Sequence, residues 1–347
     1  MLTASVLGAG GYTGGELLRL LLQHPEVEVV SAASREHAGR FVHQTHPNLR
    51  GATRLRFCDR AALAPADVSF ACVPHGDGMK VVPALLGQSR LVVDLSADFR
   101  LGDAAAYERW YGPHQAPELL AERVYGLPEL HRGELKGARL VSGVGCLATA
   151  VNLALWPLAA AGLLDQASVI CDLKVGSSAA GAAAGRASTH AERSRSLRLY
   201  APAGHRHAAE VLQELGQGDA LRLHFTAHAV ELVRGVLATC HAVLPPGAPT
   251  PAERELWRHY RAAYADEPFV RIVRDRRGIH RFPDPKRVAG SNFADVSFVV
   301  EEDASRVVAV AALDNLVKGA AGSAVQSMNL MLGRPEGEGI DAPALWP

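Results

Sequence analysis

Net charge is what this sequence most clearly lacks: 36 Lys and Arg stand against 36 Asp and Glu in 347 residues, a formal net charge of +0. General binders of nucleic acid or of membrane surfaces need an excess of positive charge, so both classes are excluded. Long hydrophobic runs are missing as well. The longest apolar stretches are broken by Gly, Pro or charge, and no segment reads as a membrane span. The opening MLTASVLGAGGYTGG has no basic n-region and no cleavage site, the pattern of a protein that stays in the cytoplasm. Cysteine is scarce, with Cys58, Cys72, Cys146, Cys171 and Cys240, and none of the five is spaced as CxxC. An odd count without that spacing points to neither a zinc site nor a disulfide framework.

What remains is enough for two domains with real cores. The first part alternates strand and helix: ASVLG, then TGGELLRLLLQH with leucines at helical spacing, then VEVVSAAS, DVSFACVP and RLVVDLS. Such βαβ alternation predicts a parallel sheet covered by helices. Past Cys146 the strands lengthen and follow one another (LRLHFTAHAV, VRGVLATCHAV, ADVSFVV, RVVAVAA), which predicts a mixed or antiparallel sheet. The expected boundary lies near Gly143–Cys146. It gives a first domain of residues 1–145, a second of 146–314, and a C-terminal part, 315–347, that packs back on the first.

Gly8-Ala9-Gly10-Gly11-Tyr12-Thr13-Gly14 sits between a strand and a helix. Glycines there permit a tight turn and close backbone approach, and the helix start offers N–H groups to a pyrophosphate. An NAD site usually carries a carboxylate at the end of the second strand. Here Ser34 and Arg35 stand in its place, and a hydroxyl beside a guanidinium suits a 2′-phosphate. NADP(H) is therefore the expected cofactor.

SGVGCLATAV places Cys146 at a loop-to-helix junction beside Gly145. Two readings stand: a small core side chain, or a nucleophile whose anion the helix start favours. GHRHAAE sets His205 and His207 two apart and Glu210 three further on. A histidine serving as acid/base with a carboxylate to orient it suits the chemistry, as do two surface histidines at a helix start. Metal binding lacks a third ligand at the right spacing. In SADFR, Ser96 and Arg100 follow a buried strand; with Glu210 they are the expected substrate or phosphate residues, the alternative being that Arg100 anchors the loop. Two basic clusters, Arg186–Arg198 and Arg271–Arg287, read as solvated faces or as a surface for an acidic ligand.

Six stretches, GAGGYTGGELLRLLLQHP, VDLSADFRL, GCLATA, GHRHAAE, RVAGSN and LDNLVKGAAGSAVQSMN, occur from Gly8 to Asn329 in one order. In that order and content the chain resembles the N-acetyl-glutamyl-phosphate reductases. The resemblance implies a Rossmann domain joined to a mixed α+β catalytic domain of the glyceraldehyde-phosphate and aspartate-semialdehyde dehydrogenase type. It also implies Cys146 as nucleophile, His205 or His207 as acid/base, and Asn315 at the cofactor. VGCLATA departs from the PGCYPTA or PGCFPTA usual in the arginine-pathway enzymes. SSAAGAAAGRASTHAER, YAPAGHRHAAE and GIHRFPDPKRVAGSN are similar instead to the lysine-pathway branch, which reduces aminoadipate 6-phosphate carried on LysW, a small acidic protein. That branch implies LysW as partner and a homodimer or homotetramer. The alternatives are the arginine-pathway reaction, both reactions together, or a non-catalytic NADP-binding regulator.

Overall fold

The computed structural model describes residues 1–183, 185–216 and 221–346. The chain forms two compact units, one of residues 1–144 with 320–342 and one of 145–319 with the residues from 343 on. The return to the first unit thus begins at Ala320, five residues later than the sequence suggests, and it ends at Ala342.

In chain order the first unit contains β1 (Leu2–Leu7), α1 (Tyr12–Leu21), β2 (Val27–Ala33), α2 (Val42–Thr45), β3 (Val68–Ala71), α3 (Gly78–Gln88), β4 (Leu91–Asp94), α4 (Ala104–Tyr111), β5 (Arg123–Tyr125), α5 (Pro128–Leu135) and β6 (Leu140–Ser142). The strands form one parallel sheet in the order β2-β1-β3-β4-β6-β5. The order turns back between β1 and β3, and ligands of open α/β sheets lie outside the strand carboxyl ends at such a point. Every residue of β3 and β4 is buried, as strands covered on both faces require.

The second unit contains α6 (Cys146–Ala160), β7 (Ser168–Val175), α7 (His190–Arg193), β8 (Arg198–Ala201), α8 (His207–Leu215), β9 (Arg222–Ala229), β10 (Val236–Val243), α9 (Glu253–Tyr264), β11 (Val270–Ile272), β12 (Ala294–Glu301) and β13 (Arg306–Leu313). Its seven strands run in the order β11-β12-β13-β10-β7-β9-β8. Only β7–β9 and β11–β12 pair in parallel; the other neighbours are antiparallel. β7, β9 and β10 alternate buried with part-exposed residues, so one face is core and the other stays half open, with Ile170 44% exposed.

Helix α6 packs against β10, β13, α8 and α9 and buries all but three of its residues, the profile of a helix apolar on every side. Pro157 lies inside it and has no N–H for the carbonyl of Leu153. Tyr264 of α9 makes good the loss, donating its hydroxyl to Leu153 O at 2.6 Å, and Tyr260 donates to Ala154 O at 2.7 Å. The helix that starts with Cys146 is thereby fixed along its length. Finally α10 (Gly322–Met331), every residue of it buried, belongs to the first unit and packs on α5 and α1. Among the described residues no helix is long and apolar enough to cross a membrane.

Candidate active site

In the second unit the chain passes through Gly145, the extended N-cap of α6, into Cys146 at its first position. The N–H groups of a first helical turn have no i−4 acceptor within the helix, the kind of donor that suits a developing oxyanion. Gly145 is glycine for a steric reason: a Cβ there would lie 2.5 Å from Glu210 Oε1 and 2.9 Å from His207 Nε2. The same closeness places those two side chains on the nucleophile's turn. Glu210, 1% exposed, accepts the Gly145 N–H through Oε2 at 2.9 Å, and its Oε1 stands 3.8 Å from His207 Nε2. The carboxylate thus ties α8 to the start of α6 and holds charge beside the imidazole.

The two histidines differ in placement. His207, buried, opens α8 and points Nε2 toward Gly145 and Glu210. His205 points Nδ1 forward along the chain and accepts the His207 N–H at 3.1 Å. Burial, with Arg206 next to it, pushes the His205 imidazole down to about 4. Tyr200 of β8 stands edge-on to His205 at 6.1 Å, and its phenol is pushed up to about 12 by burial and by the Cys146 sulfur. Tyr200 therefore lies beside the thiol, although the sequence showed it only as the first residue of YAPAGHRHAAE with no role of its own.

Gly319 lies inside LDNLVKGAAG, where nothing in its sequence neighbours marks it as a site residue. A Cβ on it would sit 2.6 Å from the Cys146 Cβ. Gly319→Ala should displace the thiol by about an ångström, lower turnover about 100-fold and cost about 1–3 kcal/mol of stability. A variant with wild-type turnover would show that this contact relaxes freely.

Asn315, expected at the cofactor, accepts the Gly235 N–H at 2.8 Å and donates to Ser178 Oγ at 2.9 Å. Its amide joins the loop after β7 to the start of β10. Beside it the buried Asp314 accepts from the N–H groups of Gly290, Leu316 and Val317 and pairs with Arg234 at 3.4 Å.

The first unit holds the glycine turn. Gly8 has φ +79°, and a Cβ on it would lie 2.2 Å from Cys72 O, so only glycine fits. Gly10 packs on Ser34, whose Oγ would be 2.5 Å from a Cβ there, and Arg35 beside it is exposed. Gly11 caps α1 without any side-chain acceptor, and Tyr12, Thr13 and Gly14 make the first turn, which carries no acidic residue. His46, its imidazole pushed down by burial, stands with Nε2 2.8 Å from Ala9 O and braces the turn from behind. A cradle with uncapped N–H groups, no acid and a buried hydroxyl alongside fits a dinucleotide pyrophosphate.

Ser96 corrects an expectation. It was expected near a phosphate, but it is 3% exposed and turned inward: its Oγ donates to Asp94 Oδ2 at 2.6 Å and accepts the Asp98 N–H at 3.1 Å. Asp98 in turn accepts from Met79 N–H and the Tyr107 hydroxyl. Arg100, part-exposed, donates Nε to Ser96 O at 3.1 Å, so the inward serine shapes the loop that carries the guanidinium. Burial pushes Asp94 up to about 7 against the Ser96 bonds. A carboxyl raised in the fold holds its proton more tightly there than in the unfolded chain. Its contribution therefore falls as pH rises from about 4 toward 7. Asp94→Asn should flatten the decline in denaturant midpoint between pH 5 and 7.5. An unchanged slope would place the proton elsewhere.

The basic clusters also need correction. Arg193 is partly buried and donates to Val175 O and Val230 O. Arg198 donates to Ala187 O, Arg287 to His280 O, and Arg271 pairs with the buried Asp295 at 2.7 Å. These guanidinia tie loops together. Arg186, Arg195, Arg276, Arg277, Arg281 and Lys286 are exposed, as is Arg271 beside its carboxylate partner.

Two family descriptions match the chain: semialdehyde dehydrogenase, NAD binding domain, over residues 3–138, and semialdehyde dehydrogenase, dimerisation domain, over 146–315. The LysW-L-2-aminoadipate 6-phosphate reductase of Deinococcus radiodurans is 47% identical, covering 99% of this chain and 98% of that one. A Thermomicrobium roseum protein provisionally given the same name is 53% identical over 100% of this chain and 99% of its own length. A Cenarchaeum symbiosum protein provisionally named for both LysW-L-2-aminoadipate and LysW-L-glutamate phosphate reduction is 48% identical, covering 99% of each. Among solved structures, aspartate semialdehyde dehydrogenase II of Vibrio cholerae shares the fold at TM-score 0.71 and 15% identity, covering 96% of this chain and 98% of that one. The Candida albicans enzyme, solved with NADP, gives TM-score 0.69 at 14% identity, covering 96% and 98%. Uncapped glycine turn, helix-start cysteine and full-length identity agree, and the chain belongs to the semialdehyde dehydrogenase family, among the LysW-L-2-aminoadipate 6-phosphate reductases.

Proposed function

We propose that the protein reduces LysW-linked L-2-aminoadipate 6-phosphate to its semialdehyde with NADPH, releasing phosphate. The observation that carries this reading is Cys146 at the first position of α6 with His207 and Glu210 closing on the preceding residue. His207 takes the thiol proton, and the thiolate attacks the acyl-phosphate carbonyl carbon. The carbon–oxygen bond to phosphate breaks and a thioester remains. NADPH supplies the hydride that reduces it. The first-turn N–H groups of α6 hold the oxyanion, and His207 returns its proton to sulfur as the hemithioacetal collapses to aldehyde. Arg100 is the residue assigned to the phosphate. LysW is the partner, and two copies of the chain meet through the half-open face of the second sheet.

Ser34 and Arg35 favour NADPH over NADH. Arg35→Ala should remove a charge-assisted contact of about 1.5–3 kcal/mol, weakening NADPH and leaving NADH nearly unchanged. Equal loss with both cofactors would mean that Arg35 does not read the 2′-phosphate.

The substrate is tested by supplying LysW-linked and N-acetylated acyl phosphates side by side. The reading expects the LysW-linked compound to be preferred, and its rate at limiting concentration to fall with salt, since about 1 M salt screens charges beyond roughly 3 Å. Turnover of the acetylated compound alone would move the enzyme to the arginine-type reaction. Equal turnover would make the enzyme serve both reactions and remove the carrier from what the site reads.

A further inference from the structure

The motif GHRH presents two imidazoles, and the reaction proposed above needs only one. We propose that His205 is the positioning residue for His207, holding the backbone N–H that starts α8 and walling the His207 ring so that its Nε2 stays on the Gly145–Cys146 turn. The inference rests on the proposed acyl-phosphate reduction and adds a role that the reaction itself does not assign.

Three observations carry it. First, α8 begins without a side-chain cap from its N-cap residue, Arg206, and an uncapped helix start leaves N–H groups needing acceptors. His205 Nδ1 accepts from His207 N at 3.1 Å, an i to i+2 contact of the kind an asparagine makes in an Asx turn. Second, the His205 ring meets the His207 ring edge-on, with centroids 4.7 Å apart and planes at 82°. One side of His207 is thus blocked, while Glu210 stands 3.8 Å from its Nε2. Third, His205 is itself held. It stacks on Phe225 of β9 at 5.8 Å and 23°, and Tyr200 of β8 closes edge-on at 6.1 Å. A sheet-anchored ring thereby fixes a helix-borne one. The groups around His205 are Tyr200, Arg206, His207 and Phe225. Burial, with the Arg206 guanidinium beside it, keeps the imidazole unprotonated, so Nδ1 remains an acceptor at neutral pH.

The arrangement separates two substitutions that would act alike if His205 did the chemistry. Asparagine places an amide oxygen where Nδ1 stands and so preserves the i to i+2 bond; alanine does not. His205→Asn, which keeps that bond but removes the ring beside His207, should lower kcat about 3- to 10-fold, whereas His205→Ala, which removes both, should lower it about 30- to 100-fold through misplacement of His207. KM for NADPH should be unchanged in both. Alkylation of Cys146 by iodoacetamide gives a readout independent of any substrate. Its pH profile should shift in His205→Ala and stay at the wild-type position in His205→Asn. A His205→Asn protein that is folded by thermal midpoint yet as inactive as His205→Ala would overturn the proposal, making His205 a reacting group. So would a His205→Ala protein with wild-type kcat and alkylation profile. Failure of the wild type to reduce any acyl phosphate would fall on the functional reading instead, and the alkylation profiles would still decide the role of His205.

Discussion

Cys146→Ser is expected to lower acyl-phosphate reduction by about 10⁴- to 10⁶-fold, as loss of a covalent nucleophile does, with NADPH binding intact. The separation follows from the fold. Cys146 opens α6 in the second unit, while the glycine turn that fits the dinucleotide belongs to the first. Serine keeps the shape of the site but is a far weaker nucleophile at neutral pH. Alkylation should single out the same residue. Cys171 and Cys240 are buried and face each other across β7 and β10, and burial with Asp94 nearby pushes the Cys72 thiol up. Iodoacetamide at neutral pH should therefore label Cys146 ahead of the others, since thiolate fraction and access set the rate. A serine variant with substantial activity, or Cys72 labelled as fast as Cys146, would remove the thioester from the mechanism.

The second large effect belongs to His207. His207→Asn should reduce kcat by about 10²- to 10⁴-fold, the usual worth of a positioned acid/base. The loss should be greatest on the limb of the pH profile where wild type needs the imidazole to accept a proton. Glu210 is expected to act through the same ring and through the Gly145 N–H it accepts. Glu210→Gln, which keeps an acceptor there, should therefore be milder than His207→Asn. If the asparagine variant retained the pH profile of the wild type with an undiminished rate, the proton would have to travel by another group.

Much of this was legible in the chain because it depends on neighbours in sequence. Gly8 to Gly14 follow a strand and open a helix, and a local pattern suffices to place a turn there. Cys146 is likewise marked by Gly145 before it and the apolar run after it. Residues whose role depends on distant partners were not legible. Whether Ser96 faces a ligand or Asp94 is settled by a buried network that also draws in Tyr107 from α4. Arg193 looks like any surface arginine until β7 and β9 bring the carbonyls of Val175 and Val230 to it. His205 and His207 are chemically identical in the string. Their division arises from Phe225 on one side and Glu210 on the other. Gly319 lay in a motif already recognised, but its closeness to Cys146 spans about half the chain.

The late return of α10 has a consequence for synthesis. Within the first unit, Arg132 pairs with Glu336 at 2.8 Å, Gln326 donates to Glu129, and His24 meets Asn329 at 3.0 Å. None of these bonds exists until residues beyond 320 have left the ribosome. The nucleotide-binding unit is begun first yet waits for residues 320–342, while residues 145–319, all of the thiol-bearing unit except its terminal stretch from 343 on, have already been made. A nascent chain of this protein thus has its nucleophile in place before it has a finished home for the reductant. A message truncated near codon 320 would yield a folded catalytic half attached to an open sheet with apolar residues exposed, material for chaperones and proteases rather than a slow enzyme.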